Sequence, residues 1–162
     1  MQQNPFGCHA GAAFDGSVLR LPAGPPRAII HAQGDCLSKI LVVDDHADAS
    51  ELMALLFETL GHDTRVAADG REAVRLHAAF APDIVFMDLD MPVLNGYEAA
   101  RAIRADAAHE QPFLVALTAS KGAAVEVATR AVGFDFYLHK PADTNALLAL
   151  VEQLARGKRQ AP

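Results

Sequence analysis

From residue 39 onward, short uninterrupted apolar runs alternate with stretches in which apolar residues recur every three or four positions, and the two periods assign strands and helices in turn. Ile40-Leu41-Val42-Val43 is wholly apolar and stops abruptly at Asp44-Asp45, the pattern of a strand covered on both faces in a parallel sheet. Asp48-Ala49-Ser50-Glu51 has the cap and third-position acid of a capping box, and Leu52, Leu55, Leu56 and Leu60 follow at helical spacing until Gly61. Asp63 to Ala68 makes a shorter, more polar strand suited to a sheet edge. Residues 70–80 make a second helix with Ala73, Leu76 and Phe80 inward and His77 on a polar, solvent-facing stretch, ended by Pro82. Ile84 to Met87 is another apolar strand, ending in Asp88. A loop from Leu89 to Leu94 leads to a helix over about Asn95 to Arg104, where Asn95 and Glu98 have capping-box spacing. Phe113 to Leu117 ends in Thr118, and Gly133 closes a helix over Ala123 to Val132. Phe134 to Leu138 runs into His139-Lys140-Pro141, and Asp143 caps a last helix to about Arg156, with Arg156, Lys158 and Arg159 at its negative end.

Five strand–helix units in so short a stretch require a parallel sheet with helices on both faces, because each right-handed crossover places its helix on one side or the other. The predicted fold is a doubly wound α/β domain over residues 39–156, a five-stranded parallel sheet in the order 2-1-3-4-5. Residues 1–38 hold 5 of the 11 Gly and 4 of the 9 Pro and read as a flexible N-terminal extension or linker; residues 157–162 are a short C-terminal tail. Val18 to Leu21 has the composition of a strand that could add to a neighbour, but the extension reading is preferred, as is usual for termini.

Composition narrows the function classes. Of the 162 residues, 51% are hydrophobic and 21% charged, which sets aside wholesale disorder and coiled coil. Fourteen basic against 20 acidic side chains leave a net charge of −6, against a nucleic-acid footprint and in favour of metal cations or basic partners. Cys8 and Cys36 have no metal-ligand spacing and are expected to be reduced thiols of a cytoplasmic protein. No apolar run approaches the roughly 20 residues of a membrane span, and the N-terminus has no signal-peptide pattern, so no membrane contact is expected.

In an open parallel sheet, ligands bind beyond the carboxyl ends of the strands where the winding reverses, here between the first and third strands. Asp44, Asp45 and Asp88 fall there, with Thr118 and Lys140 leaving the next two strands at the same edge. Three adjacent carboxylates raise at least one pKa unless a cation sits among them, and all-oxygen ligation points to Mg²⁺, with Mn²⁺ as an alternative. The Lys140 ammonium and the Thr118 hydroxyl are the groups needed to hold the oxygens of a phosphoryl group in transfer. Aspartate carboxylates form aspartyl-phosphates, and Asp88 is the best candidate nucleophile, since Asp44 and Asp45 share one strand end and suit a metal.

The segments Ile40 to Asp45, Val85 to Gly96 (VFMDLDMPVLNG), Ala116 to Ala119 (ALTA) and Tyr137 to Pro141 (YLHKP) resemble the receiver domain of bacterial two-component response regulators, a flavodoxin-like, CheY-like fold. The resemblance runs from about Lys39 to Arg156. It implies phosphorelay signalling. Asp88 would accept a phosphoryl group from the histidine of a sensor kinase or histidine phosphotransfer protein. Mg²⁺ would be held by Asp45, Asp88 and the backbone carbonyl of Asp90, with Asp44 acting through bound water. The Thr118 hydroxyl would move onto the phosphoryl oxygen, Tyr137 would rotate inward, Lys140 would pair with the phosphoryl group, and Lys140–Pro141 would be cis. The surface of helix four, strand five and helix five would carry the signal and could form a homodimer. On this reading the chain catalyses only its own phosphorylation and dephosphorylation, and is a stand-alone receiver or a piece of a larger protein such as a hybrid histidine kinase. Asp90 departs from the usual pattern and is expected to alter the lifetime of the phosphorylated state; His46 and His139 flank the site and could tune its charge. An alternative, an aspartyl-nucleophile phosphohydrolase of the haloacid-dehalogenase type, is suggested by Asp88-Leu89-Asp90 but disfavoured by Met91-Pro92 and by the motif's place on the third strand.

Overall fold

In the computed structural model, residues 18–20 and 37–157 are described. Cys8, Cys36, Lys158, Arg159 and the remainder of the N-terminal extension lie outside them. The elements follow in the order β1 (Val18–Arg20), β2 (Lys39–Val43), α1 (Ala47–Thr59), β3 (Asp63–Ala67), α2 (Gly70–Phe80), β4 (Ile84–Asp88), α3 (Gly96–Ala105), β5 (Phe113–Thr118), α4 (Ala123–Val132), β6 (Phe136–His139) and α5 (Thr144–Gly157). Strands β2 to β6 are all parallel and lie in the order β3-β2-β4-β5-β6, the 2-1-3-4-5 arrangement expected.

The sheet has a sixth member. Val18–Arg20 pairs antiparallel with β6, Val18 opposite Leu138 and Arg20 opposite Phe136, and Val18 is buried. The strand option at Val18 therefore prevails over the preferred extension, because the outer edge of β6 presents unpaired backbone groups that a short apolar segment satisfies.

The apolar runs are buried on both sides because successive side chains alternate between two cores. Leu41, Val43, Val85, Met87, Leu114 and Ala116 face Ala73, Leu76, Ala99, Ala100 and Ile103 of α2 and α3. Ile40, Val42, Ile84, Phe86, Val115 and Leu117 face Phe57 of α1 and Leu147, Leu150, Val151 and Leu154 of α5. The outer strand β3 is half polar and half exposed, as an edge requires.

Three helix expectations need correction. Helix α1 begins at Ala47 with His46 at the cap position and no side-chain cap, so Asp48 lies in its first turn; Ser50 Oγ instead donates to the Ala47 carbonyl at 2.9 Å. Its leucine stripe also faces outward: Leu52 is 69% exposed and Leu55 55%, whereas Ser50, Ala54 and Phe57 face the sheet, Phe57 stacked on Phe86 at 5.1 Å. Both stripes have helical period, and the flat ring of Phe57 fills the space above β4. Thirdly, His77, placed on the solvent side by its polar neighbours, is fully buried. The capping box at Asn95 and Glu98 is formed, and Asp143 Oδ1 accepts the Ala146 N–H at 2.9 Å.

Candidate functional site

Parallel strands end on the same side, so each polar residue that terminates an apolar run arrives at one edge. Asp44 and Asp45 follow β2, Asp88 closes β4, Thr118 closes β5 and Lys140 follows β6. Asp44 and Asp88 are each 4% exposed and Thr118 1%. Lys140 Nζ donates to Asp44 Oδ2 at 2.7 Å and to Asp88 Oδ2 at 2.8 Å, one ammonium spanning two nearly buried carboxylates. Its backbone N–H donates to the Thr118 carbonyl at 2.8 Å, which fixes the lysine stem beside β5, and the Lys140–Pro141 peptide is cis.

The other oxygen of Asp88 accepts the Asp90 N–H at 3.2 Å. The loop between them packs tightly: a Cβ on Gly96 would lie 2.3 Å from the Asp88 carbonyl oxygen, so only glycine lets α3 start this close to β4. Thr118 Oγ1 accepts the Ser120 N–H at 3.0 Å, and the buried Tyr137 donates its hydroxyl to the Ser120 carbonyl at 3.4 Å. Ser120 thus joins the two expected switch residues. Sequence reasoning missed both Ser120 and the positioning role of Gly96, since loop residues carry no period; Gly96 was legible only as part of the quoted motif.

Burial by itself pushes the Asp44 carboxyl up, but hydrogen bonds from Lys140 and from the His46 amide outweigh it, and its pKa lies below the ordinary value. The raised carboxylate expected from crowding is therefore not found at Asp44, because Lys140 supplies the cation. Burial likewise pushes the Lys140 ammonium down, and its bonds to Asp44 and Asp88 more than reverse this. The exposed His46 ring is raised by its bond to Asp44 and by the charge of Asp45, with Nδ1 3.2 Å from Asp44 Oδ1 and 3.0 Å from Asp45 Oδ1. His139 turns its Nδ1 to the Lys140 carbonyl instead.

Asp44, Asp45, His46 and Asp88 each offer a ligand atom within 4.8 Å of the others. This carboxylate-rich set fits a hard divalent cation that keeps several waters, as Mg²⁺ does. The Asp90 side chain is exposed and stands outside the group. Beside the site runs an open groove of about 920 Å³, lined by Asp44 and Lys140 together with Leu52, Leu55, Leu56 and Leu147. Among the described residues, no helix is long and apolar enough to cross a membrane.

The model for the response regulator receiver domain matches residues 40–152. The chain is 34% identical over 124 residues to the DNA-binding response regulator MtrA of Mycolicibacterium paratuberculosis, covering 76% of this chain and 54% of that protein. With the response regulator MprA of Mycolicibacterium vanbaalenii it shares 39% identity over 118 residues, 73% of this chain and 50% of the other. It therefore spans about half the length of the curated relatives it matches. Among solved structures it resembles a chain in the co-crystal of the Saccharomyces cerevisiae histidine phosphotransfer signaling protein Ypd1 with the receiver domain of its downstream response regulator Ssk1. There the TM-score is 0.68 at 26% identity, over 74% of this chain and 90% of that one.

Proposed function

The chain belongs to the response regulator receiver domain family and acts in two-component phosphorelay signalling, and we propose that Asp88 is the residue that takes and releases the phosphoryl group. The observation that carries this is Lys140 Nζ held between Asp44 and Asp88 at 2.7 and 2.8 Å, a cation already in place beside the acceptor oxygens. The haloacid-dehalogenase alternative has no support: the matching family is the receiver family, and the Asp88 strand is the third of the parallel strands in chain order.

In the forward step a carboxylate oxygen of Asp88 bonds to phosphorus as the donor histidine's N–P bond breaks, and the imidazole leaves with the electron pair and takes a proton from solvent. Lys140 neutralises phosphoryl oxygen charge, and the Thr118 hydroxyl, one loop bond from Ser120, is placed to donate to it. Dephosphorylation is attack of water on phosphorus with return of the Asp88 carboxylate, and Asp90, exposed at the loop, tunes its rate. Asp45, Asp88 and the Asp90 carbonyl would hold Mg²⁺, with Asp44 acting through bound water; the ion supplies charge neutralisation of the transferring group. Tyr137, tied to Ser120, reports the state of Thr118 to the face of α4, β6 and α5, where β1 lies along the β6 edge.

The donor is a histidine kinase or a histidine phosphotransfer protein. Its phosphohistidine must reach Asp88, and the groove walled by Leu52, Leu55 and Leu56 opens beside Asp44 and Lys140, so an apolar helical face of the donor seats there. The DNA-binding description of MtrA belongs to a protein of which this chain spans about half, and the expectation of no nucleic-acid partner gains no support from it.

Incubation with acetyl phosphate and Mg²⁺ followed by mass spectrometry tests the assignment. A single hydroxylamine-labile phosphoryl adduct on the wild type, absent from Asp88→Asn, is expected; an adduct that persists in the variant removes Asp88 from the role.

A further inference from the structure

A second cluster lies at the opposite edge of the sheet from Asp88, where α2 and α3 end after running back along the strands, and plays no part in phosphoryl transfer. His77 occupies the last turn of α2, Asp106 caps the C-terminus of α3, and His109 follows in the loop to β5. His77 is 0% exposed, and among the described residues neither Nδ1 nor Nε2 has a hydrogen-bond partner. Buried ring nitrogens are ordinarily satisfied, so a fully buried imidazole with both left over signals a missing ligand. Its Nε2 faces Asp106 Oδ2 at 3.8 Å, and His109 Nδ1 lies 2.7 Å from the same oxygen. The two rings meet edge to face at 5.8 Å, and the three residues offer ligand atoms all within 4.8 Å of one another.

We propose that His77, Asp106 and His109 form a site for a divalent transition-metal ion, Zn²⁺ in first place. Two imidazoles and one carboxylate are the donors that Zn²⁺, Co²⁺ and Ni²⁺ prefer and that Mg²⁺ does not, so this site and the carboxylate-rich one at Asp88 divide the metals by hardness. Ligand atoms about 3.3 Å apart are what tetrahedral bonds of about 2.0 Å demand. The observed separations of 3.8 and 2.7 Å lie on either side of that value, within reach of small turns of the Asp106 carboxylate and the His109 ring, whose side chains are 27% and 38% exposed. Metal binding needs neutral imidazoles, and burial already holds His77 below its ordinary pKa, with the charges of His109 and Arg104 adding to the effect and that of Asp106 opposing it. The Arg104 guanidinium is turned to the Gly133 and Pro112 carbonyls, Gln111 and Asp135. Three protein ligands leave a coordination position open beside the exposed loop. Such an ion would clip the end of α2 to the α3–β5 loop.

Titrating the full chain with Co²⁺ in excess Mg²⁺, read by its visible d–d absorption, tests this independently of phosphoryl chemistry. One tetrahedral Co²⁺ per chain, displaced by Zn²⁺, is expected. His109→Ala and His77→Gln should each weaken binding at least about 100-fold, beyond the 10- to 100-fold cost of losing outer-shell partners, while Asp88→Asn leaves it unchanged. His109→Ala removes a partly exposed side chain, so it separates loss of a ligand from loss of the fold. Absence of saturable Co²⁺ binding overturns the proposal, as does binding that survives both histidine variants or is lost in Asp88→Asn.

Discussion

Replacing Lys140 by Met keeps an unbranched stem out to Cε and removes the ammonium that joins Asp44 to Asp88. Breaking a buried charge pair by deleting one partner costs about 3–5 kcal/mol. Because the Lys140 side chain is 27% exposed, we take a loss of about 2–3 kcal/mol at pH 7.5 without Mg²⁺. The pH dependence gives the sharper test. In the wild type the Asp44 carboxyl is held below its ordinary value of 3.8, so its contribution is fully present above that pH and is lost only as pH falls through the lower folded value. In Lys140→Met, burial and the neighbouring Asp88 charge push the same carboxyl upward, so it binds a proton on folding, and the variant gains stability relative to wild type as pH falls from 7.5 towards 5. Urea denaturation of both proteins at the two pH values measures the gap. It should narrow at pH 5, and narrow at pH 7.5 when saturating Mg²⁺ supplies the cation instead. A gap that stays constant with pH, or that widens with Mg²⁺, refutes the view that Lys140 acts as the site's resident cation.

Gly96→Ala drives a methyl against the Asp88 carbonyl, 2.3 Å away in the unshifted geometry, and a displacement of this kind at a reacting group should slow phosphorylation by acetyl phosphate by about 10- to 100-fold. Arg104→Ala takes the guanidinium from the Gly133 and Pro112 carbonyls and from the Asp135 carboxylate, which keeps the Leu114 N–H, and chemical denaturation should show a loss of about 3 kcal/mol. Asp90→Asn should change the decay rate of the phosphorylated protein after donor removal; unaltered decay and unaltered Mg²⁺ affinity would exclude Asp90 from the hydrolytic step. Burial holds the folded His77 pKa below its ordinary value of 6.5, so its contribution is complete above that pH and is lost as pH falls below it towards the folded value. In metal-free buffer, stability curves of wild type and His77→Leu should therefore diverge less at pH 5 than at pH 7.5 if the variant is the less stable one, and the wild type alone should show the added acid loss.

The alternation of wholly apolar runs and helical stretches was enough to specify the order of elements, the parallel sheet and the edge at which Asp44, Asp45, Asp88, Thr118 and Lys140 collect. That follows because strand direction in such a sheet is dictated by the crossovers, and a polar residue ending a buried run has only one place to emerge. Local polarity was a poor guide wherever two elements compete for the same face. On α1 the leucine stripe and the Ser50, Ala54 and Phe57 stripe have the same period, and only packing against Phe86 determines which is buried. The same limit applies to His77, whose polar neighbours pointed to water while α3 and its following loop close over it, and to Val18, whose partner β6 is more than a hundred residues away. The bridging of Asp44 and Asp88 by Lys140, 96 and 52 residues distant in the chain, likewise belongs to the folded arrangement. Periodicity reports how a segment folds, whereas the partner that covers it, and hence the charge state of what it carries, is set by contacts between segments that no local pattern encodes.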